Sequence, residues 1–415
     1  MERNISKELS DALGRCSLIV GTEQLEYFYQ LYDPETGGFY YSISSRDAEE
    51  MTPFAEGTCF VIDALLSGGM ELPEWYKEKV CRWLLDHQDE DSGFFYEDLW
   101  GKVTEGPRLN RDLIYSNKIL RYCGVSPRYP LPADRIKNDP SSLTKAKSKS
   151  SALPDYLESE AKMLEYLDSL DWSVESIWKT GQKLSTSYSL IKAAGYYELV
   201  YEYIKKKQNP TTGLFGEGLG WMNTNGAMKL SMFFCEPGHP YPNAELAIES
   251  VIKIYGGSEA PGSGTYIWNP FVLLDRIINA PGADSERLRG LLLDKGDKIV
   301  NRAIDCALLL KKPDGGFASG SRGATPRQQG YLFGWGFADE SDLDGTLLVG
   351  ERLYTSLHTV FGIEPNRSYY KQYNDAFWSR CKSKEKIKKV LPRPDEGVGR
   401  GAEPVARYPE TNNIK

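Results

Sequence analysis

The chain alternates between amphipathic runs of helical length and short knots of turn residues that each end in an aromatic. "PEWYKEKVCRWLLDHQ" puts Trp75, Val80, Trp83 and Leu84 on one side at helical spacing. Pro73 suits an early helical position. "AELAIESVIKIYGG" and "SERLRGLLLDKGDKIVNRAIDCALLLKK" read the same way, and "YYELVYEYIKKKQ" ends in basic residues, as helix C-termini tend to. Strand-like alternation is rare and confined to short aromatic pieces after the turns. The pattern predicts a mostly helical protein with no extended sheet.

The turn knots repeat. "DPETGGFYYS", "DEDSGFFYED", "NPTTGLFGEG" and "KKPDGGFASG" each place a Gly two residues before a Phe: Gly37 and Phe39, Gly93 and Phe95, Gly213 and Phe215, Gly315 and Phe317. A helix-length segment stands on either side of each knot. The Gly permits φ > 0 at the end of one helix, and the Phe buries a large apolar area between successive helix pairs. A unit of about 50 to 60 residues fits the spacing if one degenerate copy lies in each long gap. "WSVESIWKTGQKLSTSYSLIKAAG" and "GTYIWNPFVLLDRIINA" are those copies. The count is then six helix pairs. Such pairs close into a ring, an all-α (α/α)6 toroid, with inner helices lining a central cavity and outer helices shielding them.

Residues 1–381 are expected to form this single domain. The Ser/Lys-rich stretch 138–155, with Pro at both ends, reads as a surface linker inside it. Residues 382–415 read as a polar tail. The 415 residues are 40% apolar and 26% charged, ordinary for a globular protein. A net charge of −8 argues against a nucleic-acid partner. There is no apolar run of membrane-spanning length and no signal-peptide core at the N-terminus. Seven scattered Cys without a CxxC pair fit reduced thiols and a cytoplasmic location. Oligomeric state is left open.

The "DGGF" of Asp314–Phe317, the "TGGF" of Thr36–Phe39 and the "TGLF" of Thr212–Phe215 resemble the turn repeats of terpenoid cyclases and protein prenyltransferases. The resemblance runs from about residue 20 to 365 and implies the α/α toroid of that superfamily, which serves cyclases, prenyltransferase β-subunits and non-enzymatic proteins alike. "DLDGT", Asp342 to Thr346, resembles the D-x-D-D-T motif of protonation-initiated cyclases, with Gly345 in place of the last Asp. That implies Asp344 as proton donor, Asp342 as its supporting carboxylate and Thr346 as an anchor for the helix start. It implies no cofactor beyond Mg²⁺ for a diphosphate substrate. Read without the resemblance, an Asp before an apolar run is a helix N-cap. The zinc ligands of the prenyltransferases have a weak counterpart in Asp305, Cys306 and His358. Adjacent helical residues do not aim at one ligand, so no metal is expected.

The loops before the inner helices are unusually polar. They offer Arg46, Glu56, Glu217, Trp221, Asn225, Lys229, Tyr266, Trp268, Asn269, Arg322 and Tyr331. Arg, Asn, Tyr and Trp suit a hydroxylated or anionic small-molecule substrate. Because they follow equivalent turns, Arg46, Glu56, Glu217, Asn225, Asn269 and Arg322 are expected at one mouth of the ring. The leading expectation is an isoprenoid cyclase, a lyase or isomerase acting through Asp344. A carbohydrate hydrolase or polysaccharide lyase using Glu56 and Glu217 is the alternative, and a non-catalytic binding scaffold is the third.

Overall fold

A computed structural model describes residues 5–102, 106–138, 153–235 and 238–395. Most of the 138–155 stretch and the end of the tail, residues 139–152 and 396–415, lie outside the described residues.

The chain runs alternately outside and inside a ring. The helices are α1 (Thr22–Leu31), α2 (Ala55–Ser67), α3 (Glu74–Asp86), α4 (Pro107–Tyr122), α5 (Glu160–Ser169) and α6 (Ile177–Ala193). They continue as α7 (Tyr197–Lys207), α8 (Trp221–Leu230), α9 (Ala244–Gly256), α10 (Gly264–Ile278) and α11 (Gly296–Leu308). The last, α12, starts at Leu343–Leu347, passes through a π-helical turn at Leu348–Arg352 and ends as Leu353–Val360. Each even-numbered helix packs on the next even one, and α12 packs back on α2. Six inner helices thus form a closed circle, and the odd-numbered helices lie outside it. This is an (α/α)6 toroid.

Burial follows this arrangement. In α2 almost every residue is buried, as an inner helix requires, whereas α7 buries Val200 and Ile204 and leaves its basic end to solvent. Shorter helices wrap the outside, two of them near the ends of the described chain. Lys7–Gly14 packs on α11, and Asn374–Ser383 packs on α1.

The repeated turns join neighbouring pairs. Gly37, Gly93, Gly213 and Gly315 all have positive φ, between 66° and 96°. Each Phe forms an antiparallel bridge back to the end of the preceding helix, as in Tyr32 with Phe39 and Gln208 with Phe215. All four Phe rings are buried. Gly37, Gly213 and Gly315 also lie against the next outer helix, and Gly93 against the Pro130 carbonyl. A Cβ on Gly213 would lie 2.6 Å from the Ala247 nitrogen of α9, and one on Gly315 would lie 2.7 Å from the Glu23 carbonyl oxygen of α1. The last turn therefore touches the first outer helix and closes the ring. Phe39 N–H donates to Thr58 Oγ1 of α2, and Phe317 N–H donates to Thr346 Oγ1 of α12, both at 3.0 Å.

Between the last turn and α12 the chain makes a hairpin, β1 (Arg327–Gln328) with β2 (Tyr331–Leu332). Its tip, Gln329 and Gly330, has positive φ at both positions, the geometry of a type I′ turn. The segment after Ser383 runs along the base of this hairpin. Leu391 bridges Ala48 and shares a small apolar cluster with Met51, Leu332, Trp335 and Phe337. Lys389 Nζ donates to the Arg46 and Met51 carbonyls.

Gly315→Ala should cost more stability than Gly195→Ala. Both residues have positive φ, but nothing stands within 4 Å of a Cβ on Gly195. The control should lose about 1 kcal/mol from backbone strain alone. The ring-closing site should lose at least about 2 kcal/mol in denaturant titration, and equal losses would mean that the contact with Glu23 does not tighten the ring.

Candidate functional site

The inner helices enclose a cavity of about 600 Å³, open to solvent at one side and roofed in part by Arg327, Gln328 and Gln329 of the hairpin. All six inner helices contribute to its wall. Five of the lining residues are basic (Arg111, Lys229, Arg276, Arg327 and Arg352), and one, Asp344, is acidic. The rest are mainly aromatic, amide and Met side chains.

The two acidic residues of "DLDGT" divide their roles. Asp342 is fully buried and caps α12. Its Oδ1 accepts from Gly345 N–H at 2.7 Å, and its Oδ2 accepts from Ser319 N–H, Ser319 Oγ and Thr325 N–H. Burial and the Asp344 charge push its pKa up to about 6 against the pull of those N–H groups. Asp344, two residues on, faces the cavity. Its carboxylate takes no hydrogen bond or ion pair from another described residue. Burial raises its pKa, and the positive charges of Arg111, Arg352, Arg108 and Lys229 oppose the rise. A carboxylic acid held this way can release a proton into the cavity.

Glu56 is placed differently. It is buried at the start of α2 and gripped by α4: its Oε2 accepts from Arg108 Nη2 at 2.7 Å and Arg111 Nε at 2.9 Å, and Arg111 Nη2 also pairs with its Oε1. Arg108 reaches on to Asp112, whose Oδ2 accepts from Trp100 Nε1. Glu97 lies beside this network and accepts from Ala55 N–H at 2.7 Å. Burial and the Asp112 charge push Glu97 up to about 8. These groups lock α2 to α4 and fix Arg111, which continues to the cavity wall.

The other expected residues separate into two sets. Asn225, Asn269, Tyr266 and Trp268 line the cavity, and Asn269 Nδ2 donates to Asn225 Oδ1 at 2.7 Å. Asn269 is buried with its Oδ1 unpartnered. Arg46, Glu217, Trp221, Arg322 and Tyr331 are not in the wall. Arg46 pairs with Asp47 and donates to the Gln30 carbonyl. Glu217 and Arg322 are exposed. Trp221 packs edge-on against Tyr255, and Tyr331 lies against Trp100. The turns are equivalent, but the loops after them diverge, so the six residues expected at one mouth do not converge there.

Of the five basic wall residues, Lys229 stands among the polar candidates of "GEGLGWMNTNGAMK", whereas Arg111, Arg276, Arg327 and Arg352 were not expected. Arg111 stands near the start of α4 and Lys229 in the last turn of α8; Arg276 lies in the last turn of α10 and Arg352 midway along α12. Arg276 Nη1 donates to the Met228 carbonyl and to Ser231 Oγ. Arg352 belongs to the π-helical turn, where Gly350 leaves helical geometry (φ −92°, ψ −111°). Such turns concentrate at functional sites. Its guanidinium lies 4.0 Å from the Phe60 ring centre and 5.2 Å from that of Trp268. Lys229 Nζ donates to Gln182 Oε1 of α6 at 2.5 Å. Burial, with Arg111 and Arg276 nearby, lowers its pKa to about 7. The signal that could have found these residues is a charge inside an apolar inner helix, as in "GTYIWNPFVLLDRII".

Among the described residues, no three or more His, Cys, Asp or Glu cluster as a metal site. No described helix is long and apolar enough to cross a membrane. Compared with protein-family models and with curated proteins, the sequence finds no match. One similar solved structure is a glycoside hydrolase family 15 glucoamylase from Hypocrea jecorina, 12% identical, with a TM-score of 0.40 over 98% of this chain and 80% of that one. A likeness so distant says nothing about chemistry.

Two measurements separate scaffold from site. Asp342→Ala leaves three backbone N–H groups without their acceptor and should lose about 2–4 kcal/mol of stability. Asp344→Asn should lose none at pH 8, because the folded state raises the pKa of this acid and its ionised form opposes folding. A comparable loss in both variants would make Asp344 scaffold. Glu97 provides the pH test. Its folded pKa of about 8 exceeds the unfolded value, so wild type loses stability as pH rises from about 5 through 8. Glu97→Gln keeps the Ala55 contact and lacks that loss. Its melting temperature relative to wild type should climb across this window, and a constant difference would show that Glu97 does not hold its proton.

Proposed function

We propose that the toroid is a small-molecule enzyme that works by proton transfer on an anionic substrate, with Asp344 as the acid. The observation that carries this is the lining of the cavity: one unpartnered carboxyl group among five basic side chains. Basic groups in a half-enclosed, low-dielectric site bind an anion far better than they would in water. The acid among them has its proton held by burial and its conjugate base stabilised by the same cations. That combination suits an acid that gives up a proton and later regains it.

The finer proposal is protonation-initiated isoprenoid cyclisation. Asp344 stands at the place where the cyclase-like motif puts its proton donor. The aromatic side chains of Phe60, Tyr115, Trp178, Tyr266 and Trp268 line the same cavity. Asp344 would give its proton to a terminal alkene carbon. The alkene electrons form the new C–H bond, and the tertiary cation is attacked by the next double bond. Loss of a proton from the cyclised cation completes the reaction without an oxidant or reductant. Aromatic faces stabilise the cation, and the basic residues hold an anionic head such as a diphosphate away from it. Asp342 acts on Asp344 by charge alone, since its own oxygens are occupied by hydrogen bonds. Thr346 ties the helix start to the Phe317 turn. Hydrolysis by a carboxylate pair has less support: Glu56 is held by two arginines, Glu217 is exposed, and among the described residues no second carboxylate lines the wall.

Inorganic pyrophosphate should raise the melting temperature of wild type and do so less for Arg276→Gln. Farnesyl or geranylgeranyl diphosphate, offered with and without Mg²⁺, should be turned over by wild type. Asp344→Asn should then be slower by about 10²–10⁴-fold while staying folded. Pyrophosphate binding without turnover would discard the isoprenoid substrate. Absence of binding as well would discard the anionic site.

A further inference from the structure

We propose that Lys229 is a nucleophilic amine that captures the carbonyl carbon of an anionic aldehyde or keto acid as an iminium, with Asp344 shuttling the protons. This is an activity beyond alkene protonation. It rests on the same reading of the cavity as an anion site.

The side chain is placed for this by close helix packing. Inner helices α6 and α8 approach unusually closely because two glycines face each other's helix. A Cβ on Gly226 would lie 2.6 Å from Ile177, and one on Gly181 would lie 2.9 Å from Lys229 Cβ and 3.5 Å from its Cδ. The Lys229 stem therefore lies across the bare backbone of Gly181 and brings its amine to the cavity wall. Gln182, one residue further on, accepts one N–H from Nζ at 2.5 Å. That bond orients the amine and leaves its lone pair available.

The charges around it favour the neutral, nucleophilic form. From α4 comes Arg111, from α10 Arg276, and from α12 both Asp344 and Arg352; α6 contributes the neutral Gln182. An amine desolvated by burial and crowded by fixed cations loses its proton more readily, a known way to activate a lysine for Schiff-base chemistry. The lowering of the Lys229 pKa to about 7 agrees with this arrangement. The arginines that disfavour the ammonium are the same groups that would hold a carboxylate or phosphate on the incoming carbonyl compound.

The proton balance closes within the site. The Nζ lone pair forms the N–C bond, and the carbonyl oxygen takes a proton from Asp344. The attacking nitrogen returns a proton to the Asp344 carboxylate, which gives a neutral carbinolamine. The hydroxyl then takes that proton and leaves as water, so the nitrogen lone pair forms the C=N⁺ bond. One proton is consumed overall, Asp344 ends as carboxylate beside the iminium, and hydrolysis reverses every step.

The test uses the whole protein and a defined probe. Wild type is treated with limiting pyridoxal 5′-phosphate at pH 7, reduced with sodium borohydride and mapped by mass spectrometry. At that pH an ordinary lysine amine is about 1 in 3000 unprotonated, whereas an amine with a pKa of about 7 is about half unprotonated. Its initial labelling should exceed that of the mean surface lysine by at least about tenfold. The pH midpoint of labelling should lie near 7, and Asp344→Asn should move it lower, because the Asp344 charge holds the ammonium form. Inorganic phosphate should slow the labelling of Lys229 alone. Gly181→Ala should reduce it by crowding the stem. Labelling of Lys229 no faster than that of surface lysines, or a midpoint near 10, would overturn the proposal. Either result leaves the pyrophosphate test of the anion site intact, so the two failures are distinguishable.

Discussion

A ring of helix pairs is sound only if its last pair meets its first, and here that closure rests on bare backbone. The Gly315 turn lies against the Glu23 carbonyl of α1, closer than any side chain at that position would permit. The same kind of contact recurs between neighbouring pairs at Gly213, against the Ala247 nitrogen and the Asn243 carbonyl oxygen. Each turn is then tied inward, twice through a threonine hydroxyl of the inner helix, Thr58 or Thr346. Turn, outer helix and inner helix are thus locked together without covalent links. The cavity inherits its shape from that lock.

A frame so constrained can hold charges that a loose one could not. Burying an arginine or a carboxylate is costly unless partners are fixed in place. At the α2–α4 junction the partners are fixed: Glu56, Arg108, Asp112 and Trp100 are linked in a buried chain of hydrogen bonds that leaves Arg108 Nη1 alone without a partner. At the cavity the compensation is partial. Arg352 has Asp63 at 3.4 Å and two aromatic faces, Lys229 has an amide oxygen, and Asp344 has nearby charge but no hydrogen bond. The difference between these two regions is what separates structural ionic groups from those left available to a ligand.

Much of the fold was legible in the sequence because its repeat is dictated by backbone geometry. A left-handed glycine followed by a buried Phe admits few substitutes, so all four copies kept their spelling. The site was less legible. Asn225, Tyr266, Trp268, Asn269 and Asp344 reach the cavity because they sit on inner helices, whose direction the ring fixes. Arg46, Glu217 and Arg322 sit on connecting segments, whose paths depend on local hydrogen bonds that no period encodes. Glu56 is helical and equivalent in position to Asp344, yet two arginines from the next helix claim it. A finer periodicity was available: Glu56-Gly57, Thr180-Gly181, Asn225-Gly226 and Asp344-Gly345 repeat a polar residue and a glycine on four of the six inner helices. In each pair the glycine permits a close approach to a neighbouring segment.

That finer repeat explains the gap in "DLDGT". A Cβ on Gly345 would stand 2.2 Å from the Ala318 carbonyl carbon and 2.3 Å from the Ser319 nitrogen. No side chain fits there, so a second aspartate after Asp344 is excluded by packing. The same close approach brings Ser319 N–H onto the Asp342 carboxylate and makes Asp342 a cap. The acid is therefore left without a carboxylate neighbour free to share its proton. What surrounds it instead is cationic: Arg111 of α4 and Lys229 of α8 come from other inner helices, and Arg352 from further along α12 itself. An acid tuned by cations stabilises its own conjugate base and draws anions to its side, whereas one tuned by a second carboxylate does neither. The glycine that seals the turn thereby also selects the kind of chemistry the cavity can support.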